Sequence, residues 1–206
     1  MINYPKPEKI LIATGNRGKI RELTGLVSSV GIEVVSFADV PSEEPVEETG
    51  RTFAENAKIK AAAYAVRTGL YSLADDSGLE VEALGGRPGV YSARYGGDDL
   101  TEHERISLLL QELESIKPES RTARFVASLA FAAPDGRVID VFEGVCRGSI
   151  AESPAGAGGF GYDPIFIPDG YDRTFGELSP DIKGRISHRS QAVAKFIRFL
   201  PDFTGV

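Results

Sequence analysis

The chain has 206 residues and a mass of 22.1 kDa, a length that corresponds to one large domain or two closely associated lobes. Apolar residues make up 42% and charged residues 26% of the sequence, which is ordinary for a globular protein and excludes a disordered chain. Lys and Arg number 23 against 30 Asp and Glu, so the net charge is −7, and a long nucleic acid is an unfavourable partner because its binding depends on basic side chains.

The first part of the chain alternates predicted strands and helices. The apolar run at residues 9–14 predicts a strand, and apolar residues at helical spacing over residues 20–30 predict the helix that follows. A second strand is predicted over residues 32–37, and an acidic loop over residues 41–50. An Ala-rich helix with one apolar face is predicted over residues 53–69, where a glycine ends it.

The second part contains further strands and a long hairpin. Its predicted elements are a buried strand at residues 71–74 that ends at the acidic segment 75–78, a half-exposed strand at 79–82, a helix within 101–115, a hairpin at 124–146 and a final helix at 187–200. This order predicts an α/β fold with a mixed sheet flanked by helices. We expect residues 1–206 to form a single domain, and two lobes with a cleft between them fit the pattern.

Cysteine content and hydropathy indicate a cytoplasmic protein. Cys146 has no second cysteine with which to form an intramolecular disulfide, and we expect it to be a small buried hydrophobic residue. The sequence has no Cys/His cluster for a structural zinc. No segment reaches the roughly 18 consecutive apolar residues of a membrane span, and the N-terminal residues include no apolar run of signal-peptide length, so we expect no contact with a membrane.

Charged residues are concentrated in four short stretches. Basic side chains dominate residues 9–21 and 183–200, whereas acidic side chains dominate residues 41–55 and 75–82. Together these stretches predict a site for a small polyanion and a divalent cation. Solvated helix ends are the alternative explanation.

Residues 14–19, Thr-Gly-Asn-Arg-Gly-Lys, lie between the first strand and the first helix. Unpaired backbone N–H groups and the positive end of the helix dipole favour a phosphate there, and Lys19 can add a positive charge. The spacing differs from that of a Walker A loop. An ordinary turn that uses Gly and Asn for its backbone angles is the alternative.

Asp75 and Asp76 follow the buried strand, a position where α/β proteins place ligands. Adjacent side chains of an extended segment point to opposite sides, so one of the two faces a given site. Such a carboxylate suits Mg²⁺ and can also deprotonate a water that attacks phosphorus. A turn in which the Asp side chains bind their own backbone is the alternative.

The segment 156–161 matches the Gly-x-Gly-x-x-Gly pattern of dinucleotide-binding proteins, but we reject that interpretation. No strand with a tight turn precedes it, and the segment that follows is extended rather than helical. Phe160 and Tyr162 can instead stack on a nucleobase, or the backbone amides can bind its edge. A flexible surface loop is the alternative.

Ser187, His188 and Arg189 open the final helix, and Lys183 precedes them. Arg and His at a helix N-terminus can bind an anion or donate a hydrogen bond to a base carbonyl. A hydrolase pair of Ser187 and His188 is a weak interpretation, because no third partner is evident. Ser187 as a simple helix cap is the alternative.

In chain order these segments resemble the inosine triphosphate pyrophosphatase family, whose members hydrolyse non-standard purine nucleoside triphosphates. The matching motifs occupy residues 13–19, 47–50, 53–57, 74–79, 85–95, 158–164 and 187–189. Several long motifs in a fixed order are far more specific than a single glycine pattern.

The resemblance implies Mg²⁺-dependent cleavage of ITP, dITP or XTP between the α and β phosphates, which yields the monophosphate and pyrophosphate. It implies that Asp76 accepts the proton of the attacking water and also binds the metal. The second metal ligand is implied to be Glu47 or Glu48, and we favour Glu47. The residues implied to bind the nucleotide are Thr14, Gly15, Asn16, Arg17, Gly18, Lys19, Ser77, Phe160, Gly161, Tyr162, Asp163, Lys183, His188 and Arg189.

The resemblance further implies an elongated fold with the site in a cleft between lobes, and a homodimer. Two other functions stay open. One is a related pyrophosphatase that acts on pyrimidine nucleoside triphosphates, and the other is a non-catalytic nucleotide-binding sensor. The sensor is less favoured, because binding alone requires no base such as Asp76.

Overall fold

The computed structural model describes residues 7–28, 31–36 and 45–200. In these ranges the strands are β1 (Lys9–Ile12), β2 (Glu33–Ser36), β3 (Tyr71–Val81), β4 (Thr122–Ala132), β5 (Val138–Ile150) and β6 (Phe166–Pro168). The helices are α1 (Arg17–Val27), α2 (Phe53–Thr68), α3 (Glu102–Glu112), α4 (Pro180–Ile186) and α5 (His188–Phe199).

All six strands belong to one sheet in the order β2-β1-β3-β4-β5-β6. Strand β1 pairs in parallel with both β2 and β3, whereas β5 pairs antiparallel with β6. The predicted mixed sheet of an α/β fold is therefore confirmed.

The chain divides into two compact units. The first unit comprises Met1–Asp76, Ala127–Gly144 and Arg189–Val206, and the second comprises Ser77–Val126 and Val145–His188. The predicted cleft between two lobes stays a prediction.

In the first unit, helix α2 is the element that positions polar side chains. It begins with a capping box, in which Thr52 and Glu55 satisfy each other's backbone N–H groups, and it ends at Gly69, whose φ of 66° is left-handed. Its alanines pack in one cluster with Leu11 of β1, with Ala13 just after β1, and with alanines of β3 and β4. Because these side chains are small, the backbone of α2 can approach the sheet closely, and short polar side chains on α2 can reach β3.

The second unit is built around aromatic side chains. The rings of Phe125 and Phe166 have centroids 4.6 Å apart, and Phe175 packs 5.5 Å from Phe166. Cys146 belongs to the same core, and burial raises the pKa of its thiol to about 12, which confirms the prediction of a buried hydrophobic residue.

Strand β3 differs from the prediction. It is continuous over Tyr71–Val81, so both the strand end expected at residues 75–78 and the turn offered as an alternative are wrong. Buried carboxylates are tolerated in mid-strand here because lysines of α1 and α2 lie beside them. Residues 37–44 of the predicted second strand and acidic loop lie outside the described residues.

The other sequence predictions agree with the structure to within a few residues, although helix α4 was not foreseen. The glycine segment 156–161 leads into a 3₁₀ turn and strand β6, which confirms that it is not a dinucleotide-binding fingerprint. Among the described residues, no helix is long and apolar enough to cross a membrane.

Candidate active site

Asp76 is buried on β3 and is held by two side chains of helix α2. Lys60 Nζ donates to Asp76 Oδ1 at 2.9 Å, and Asn56 Nδ2 donates to Asp76 Oδ2 at 3.3 Å. Asn56 and Lys60 lie one helical turn apart, so both point to the same side of α2. The orientation of the Asp76 carboxylate is therefore set by two donors, one on each oxygen.

Glu48 lies on the other side of the same ammonium group. Lys60 Nζ donates to Glu48 Oε1 at 3.1 Å, so one cation bridges the carboxylates of Glu48 and Asp76. Glu47, which we favoured from the sequence, is exposed. The structure thus brings the second residue of the Glu-Glu pair to Asp76.

The electrostatic environment makes Asp76 a stronger base than an exposed aspartate. Burial is the main cause of the upward shift in its pKa, and Lys60 and then Lys19 oppose that shift. The negative charge of Glu48 adds to the upward shift. In turn, the two carboxylates outweigh the desolvation of Lys60 and raise the pKa of its ammonium group.

The same two carboxylates fit a hard divalent cation. Mg²⁺ in proteins is bound by one or two carboxylates and keeps several waters. Asp76 and Glu48 already share one cationic group, which shows that their oxygens converge on a position suited to positive charge. Over the described ranges no group of three or more His, Cys, Asp or Glu residues converges.

Asp75 has different partners from Asp76. It is fully buried, its Oδ2 lies 2.7 Å from Lys19 Nζ, and its Oδ1 lies 3.4 Å from Arg189 Nε. Burial alone would raise the pKa of Asp75, but Lys19 and Arg189 together hold it well below the ordinary value. The charge of Asp75 is therefore compensated by two cations.

The loop before α1 is organised by its own side chains. Asn16 caps the helix, and its Oδ1 accepts hydrogen bonds from Gly18 N at 2.9 Å and Lys19 N at 3.1 Å. The expectation that these two N–H groups are available to a phosphate is therefore wrong. Thr14 is half-buried and Arg17 is exposed. The positive charge of the segment comes from the helix end and from the side chains of Arg17 and Lys19.

In the second unit, Phe160, Asp163 and Lys183 are brought together as predicted site residues. Lys183 Nζ lies 2.5 Å from Asp163 Oδ2 and 4.9 Å from the centre of the Phe160 ring. Phe160 N donates to the same carboxylate oxygen at 2.7 Å. Gly159 is required beside them, because its φ is 75° and a Cβ there would overlap Asp163 Oδ2. The result is a cation held against an aromatic face.

Three other residues of the second unit that were predicted to bind the nucleotide lie apart from this group of contacts. Tyr162 is buried, its hydroxyl donates to the Ser92 carbonyl at 3.1 Å, and burial raises its pKa, so the ring supports the loop from inside. Gly161 N donates to Glu102 Oε2 at 3.1 Å. Ser77, next to Asp76 in β3, is half-buried.

His188 and Arg189 are adjacent in sequence but belong to different units. His188 is buried in the second unit and stacks on Phe125 with centroids 4.8 Å apart. Arg189 is buried in the first unit, where it pairs with Asp75 and with Glu22. Neither side chain is exposed, so the alternative of a simple helix cap with exposed neighbours is wrong for His188 and Arg189.

Asn56 and Lys60 are the partners of Asp76 that the sequence analysis did not identify as site residues. The available signal was their spacing of four residues beside the apolar stripe of α2, where an Ala-rich helix has no need of buried polar groups. A buried Lys and Asn on such a face require polar partners.

Comparison with known proteins places the chain among enzymes of nucleotide metabolism. It is 51% identical to the dITP/XTP pyrophosphatase of Geobacillus kaustophilus, with 96% of this chain and 97% of the relative covered. It is 49% identical to a dITP/XTP pyrophosphatase of Thermus thermophilus, with 94% and 92% covered.

Solved structures agree with these relatives. The Ham1 protein of Staphylococcus aureus superimposes with a TM-score of 0.83 at 40% identity, covering 94% of this chain and 98% of the other. The dITP/XTP pyrophosphatase of Mycobacterium abscessus gives a TM-score of 0.72 at 47% identity, covering 91% and 98%. The resemblance inferred from the motifs is confirmed. Because the model of the Ham1 family matches residues 10–199, nearly the whole chain, this protein belongs to the Ham1 family.

Proposed function

We propose that this protein hydrolyses the non-standard purine nucleoside triphosphates dITP, XTP and ITP to the monophosphate and pyrophosphate, and so removes them from the nucleotide pool. The relatives named dITP/XTP pyrophosphatase support this substrate class. The single observation that carries the proposal is Asp76, a buried carboxylate of raised pKa that Lys60 and Asn56 orient beside Glu48.

Asp76 accepts the proton of the water that attacks the α-phosphorus. Its raised pKa increases its basicity, and the charge of Lys60 opposes part of that rise. Asn56 and Lys60 remove its rotational freedom, since each donates to a different oxygen. A base held in one orientation loses little entropy on the way to the transition state.

A divalent cation, which we propose to be Mg²⁺, is held by Asp76 and Glu48. When bound, it offsets the negative charge of the triphosphate and polarises the phosphoryl oxygens. We propose Glu48 rather than Glu47 because the Glu48 carboxylate forms an ion pair with the Lys60 ammonium group, which also pairs with Asp76. Glu47 is exposed and serves as the matched control residue.

Lys19 and the loop at residues 14–19 bind the phosphates. The Lys19 ammonium lies at the first turn of α1, where the helix dipole is also positive. Its 2.7 Å ion pair with Asp75 supports this role, because the carboxylate restricts the position of the ammonium group. The phosphate group of the substrate therefore meets a cation that is already oriented.

The nucleobase is bound by residues of the second unit. The Phe160 ring offers a stacking face, and Lys183 offers N–H donors to a base carbonyl. A site that donates to the 6-keto oxygen of hypoxanthine or xanthine discriminates against adenine, whose 6-amino group leaves that donor unpaired. Gly161, Tyr162, Asp163 and His188 shape this site.

A substrate panel tests the proposal. Pyrophosphate release is measured for ITP, dITP, XTP, ATP, GTP, dTTP and UTP with and without Mg²⁺, with Asp76→Asn as the inactive control. We expect release from the three non-standard purines, dependence on Mg²⁺, and little release from the others. Preference for dTTP and UTP would instead support a pyrimidine enzyme. Tight Mg²⁺-dependent binding of ITP without monophosphate formation would support a sensor.

We further propose that the protein is a cytoplasmic homodimer that binds neither nucleic acid nor membrane. Light scattering during size-exclusion chromatography measures the mass of the assembly directly. A monomer mass at micromolar concentration would refute the dimer. Retention on a DNA or RNA column at physiological salt would contradict the inference from net charge.

A further inference from the structure

Four charged side chains of the first unit form a chain of ion pairs, defined here as Lys19, Asp75, Arg189 and Glu22. Lys19 Nζ lies 2.7 Å from Asp75 Oδ2, and Arg189 Nε lies 3.4 Å from Asp75 Oδ1. Arg189 also pairs with Glu22, which lies three residues after Lys19 on α1. The ion-pair chain thus connects α1, β3 and α5.

The two middle members of the ion-pair chain are buried, and its two ends are partly exposed. The side chains of Asp75 and Arg189 are 0% and 3% exposed, whereas those of Lys19 and Glu22 are 14% and 25% exposed. A fully buried carboxylate is tolerated only when cations compensate it, and Asp75 has one oxygen on each of two cations. With both oxygens committed in this way, Asp75 is not positioned to act as the base or to bind a metal. Its role is exerted on Lys19.

We propose that Asp75 and Arg189 are positioning residues that hold the Lys19 ammonium in the orientation that binds the substrate phosphates. This inference rests on the proposed function. A lysine has a flexible stem and three N–H donors, so directing one donor to a fixed carboxylate aims the other two. Arg189 stays protonated at all relevant pH values and compensates Asp75 when Lys19 turns part of its charge toward the phosphates.

The helix start increases the importance of this arrangement. Asn16 already occupies the N–H groups of Gly18 and Lys19, so those two backbone donors are not available to a phosphate. More of the anion binding must come from the ammonium group. Its placement therefore affects binding of the triphosphate before it affects the chemical step.

The variant Asp75→Asn separates positioning from simple charge. If Asp75 acted only through its negative charge, its removal would strengthen anion binding. If Asp75 positions Lys19, its removal weakens anion binding. We expect the KM for dITP to rise about tenfold with kcat changed less than about threefold, and the Kd of inorganic pyrophosphate to rise by a similar factor. Glu33→Gln, which removes the exposed pair with Lys9, is the control and should change neither constant.

A double-mutant cycle tests whether the effect passes through Lys19. On a Lys19→Met background, Asp75→Asn should change pyrophosphate binding by less than about twofold, because there is no ammonium to orient. Equal weakening in both backgrounds would show a structural role only and overturn the proposal. Arg189→Lys should retain more pyrophosphate affinity than Arg189→Met, and this pair keeps the proposal testable if Asp75→Asn fails to fold.

The outcomes distinguish this inference from the proposed function. If the wild-type protein releases no pyrophosphate from dITP, the proposed function fails, yet calorimetric binding of pyrophosphate still tests the role of Asp75. If the wild type is active and folded Asp75→Asn binds pyrophosphate as tightly as the wild type or more tightly, the positioning role is refuted.

Discussion

Replacement of Lys60 by Met should destabilise the protein in a way that depends on pH. Lys60 Nζ lies 2.9 Å from Asp76 Oδ1 and 3.1 Å from Glu48 Oε1, and the side chains of Lys60 and Asp76 are 10% and 9% exposed. Coulomb's law at about 3 Å gives about 6 kcal/mol with an effective dielectric constant of about 20. Removing one partner of a buried pair usually costs about 3–5 kcal/mol. Since the Glu48 side chain is 28% exposed and partly screened, we expect about 3 kcal/mol.

The sign of the pH dependence follows from Asp76. Burial raises the pKa of this carboxyl in the folded protein, and loss of Lys60 raises it further. A carboxyl whose pKa is higher in the folded than in the unfolded state favours folding at low pH and loses that contribution as the pH rises through the folded pKa. The destabilisation caused by Lys60→Met should therefore be largest near neutral pH and shrink as the solution is acidified.

Urea unfolding of the metal-free protein measures this effect. The free energy of unfolding is compared for the wild type, Lys60→Met and Lys58→Met at about pH 7.5 and about pH 5. Lys58 is exposed on the same helix, so its replacement should change stability by no more than about 0.5 kcal/mol. If Lys60→Met were as stable as Lys58→Met at both pH values, Lys60 would not neutralise the buried carboxylates, and the electrostatic account of Asp76 would be refuted.

Three further predictions concern the base, the metal and the loop. Asp76→Asn should lower pyrophosphate release from dITP at least about a hundredfold while circular dichroism stays unchanged; near-normal turnover would exclude Asp76 as the base. Glu48→Gln should raise the Mg²⁺ concentration for half-maximal rate about tenfold, and Glu47→Gln should not; the reverse result would restore Glu47 as the ligand. Gly159→Ala should cost at least about 1 kcal/mol and lower the melting temperature by a few degrees, because φ is 75° and the new Cβ would overlap a carboxylate oxygen, whereas Gly15→Ala, with nothing within 4 Å, should be nearly neutral. A melting temperature of Gly159→Ala equal to that of Gly15→Ala would contradict the steric argument.

Sequence reasoning was most successful where the information is local. The hydrophobic spacing of α2, its capping residues and its terminal glycine all lie within one short segment, and the helix was predicted almost to the residue. The same holds for the turn of the β4–β5 hairpin, where Gly136 N donates to the Ala133 carbonyl at 2.8 Å. The position of the two aspartates after a predicted strand left Asp75 and Asp76 as alternatives, and the family resemblance of the motif favoured Asp76.

Reasoning from the sequence was least successful where charged side chains compensate one another over long distances. Burying two consecutive aspartates costs free energy that the segment itself cannot offset. From the sequence alone, the two residues therefore resemble the start of an exposed turn. They remain in strand β3 because Lys19 and Lys60 arrive from two different helices. The sequence analysis also missed the capping role of Asn16. The same N–H groups of Gly18 and Lys19 can bind either a ligand or the Asn16 side chain, and the structure shows that they bind Asn16.

The class of fold and the family were accessible from the chain itself, because hydrophobic periodicity, turn residues and ordered motifs are properties of neighbouring positions. The division of labour between Asp75 and Asp76 required the tertiary structure. The two residues are chemically identical, and their difference comes from Lys19 and Arg189 on one side of the strand and Lys60 on the other. The pair of Arg189 and Glu22 spans 167 positions, a distance over which no local pattern carries information. Only folding brings such charges together and gives Asp75 and Asp76 the different partners from which we infer that Asp76 is the base and that Asp75 holds Lys19.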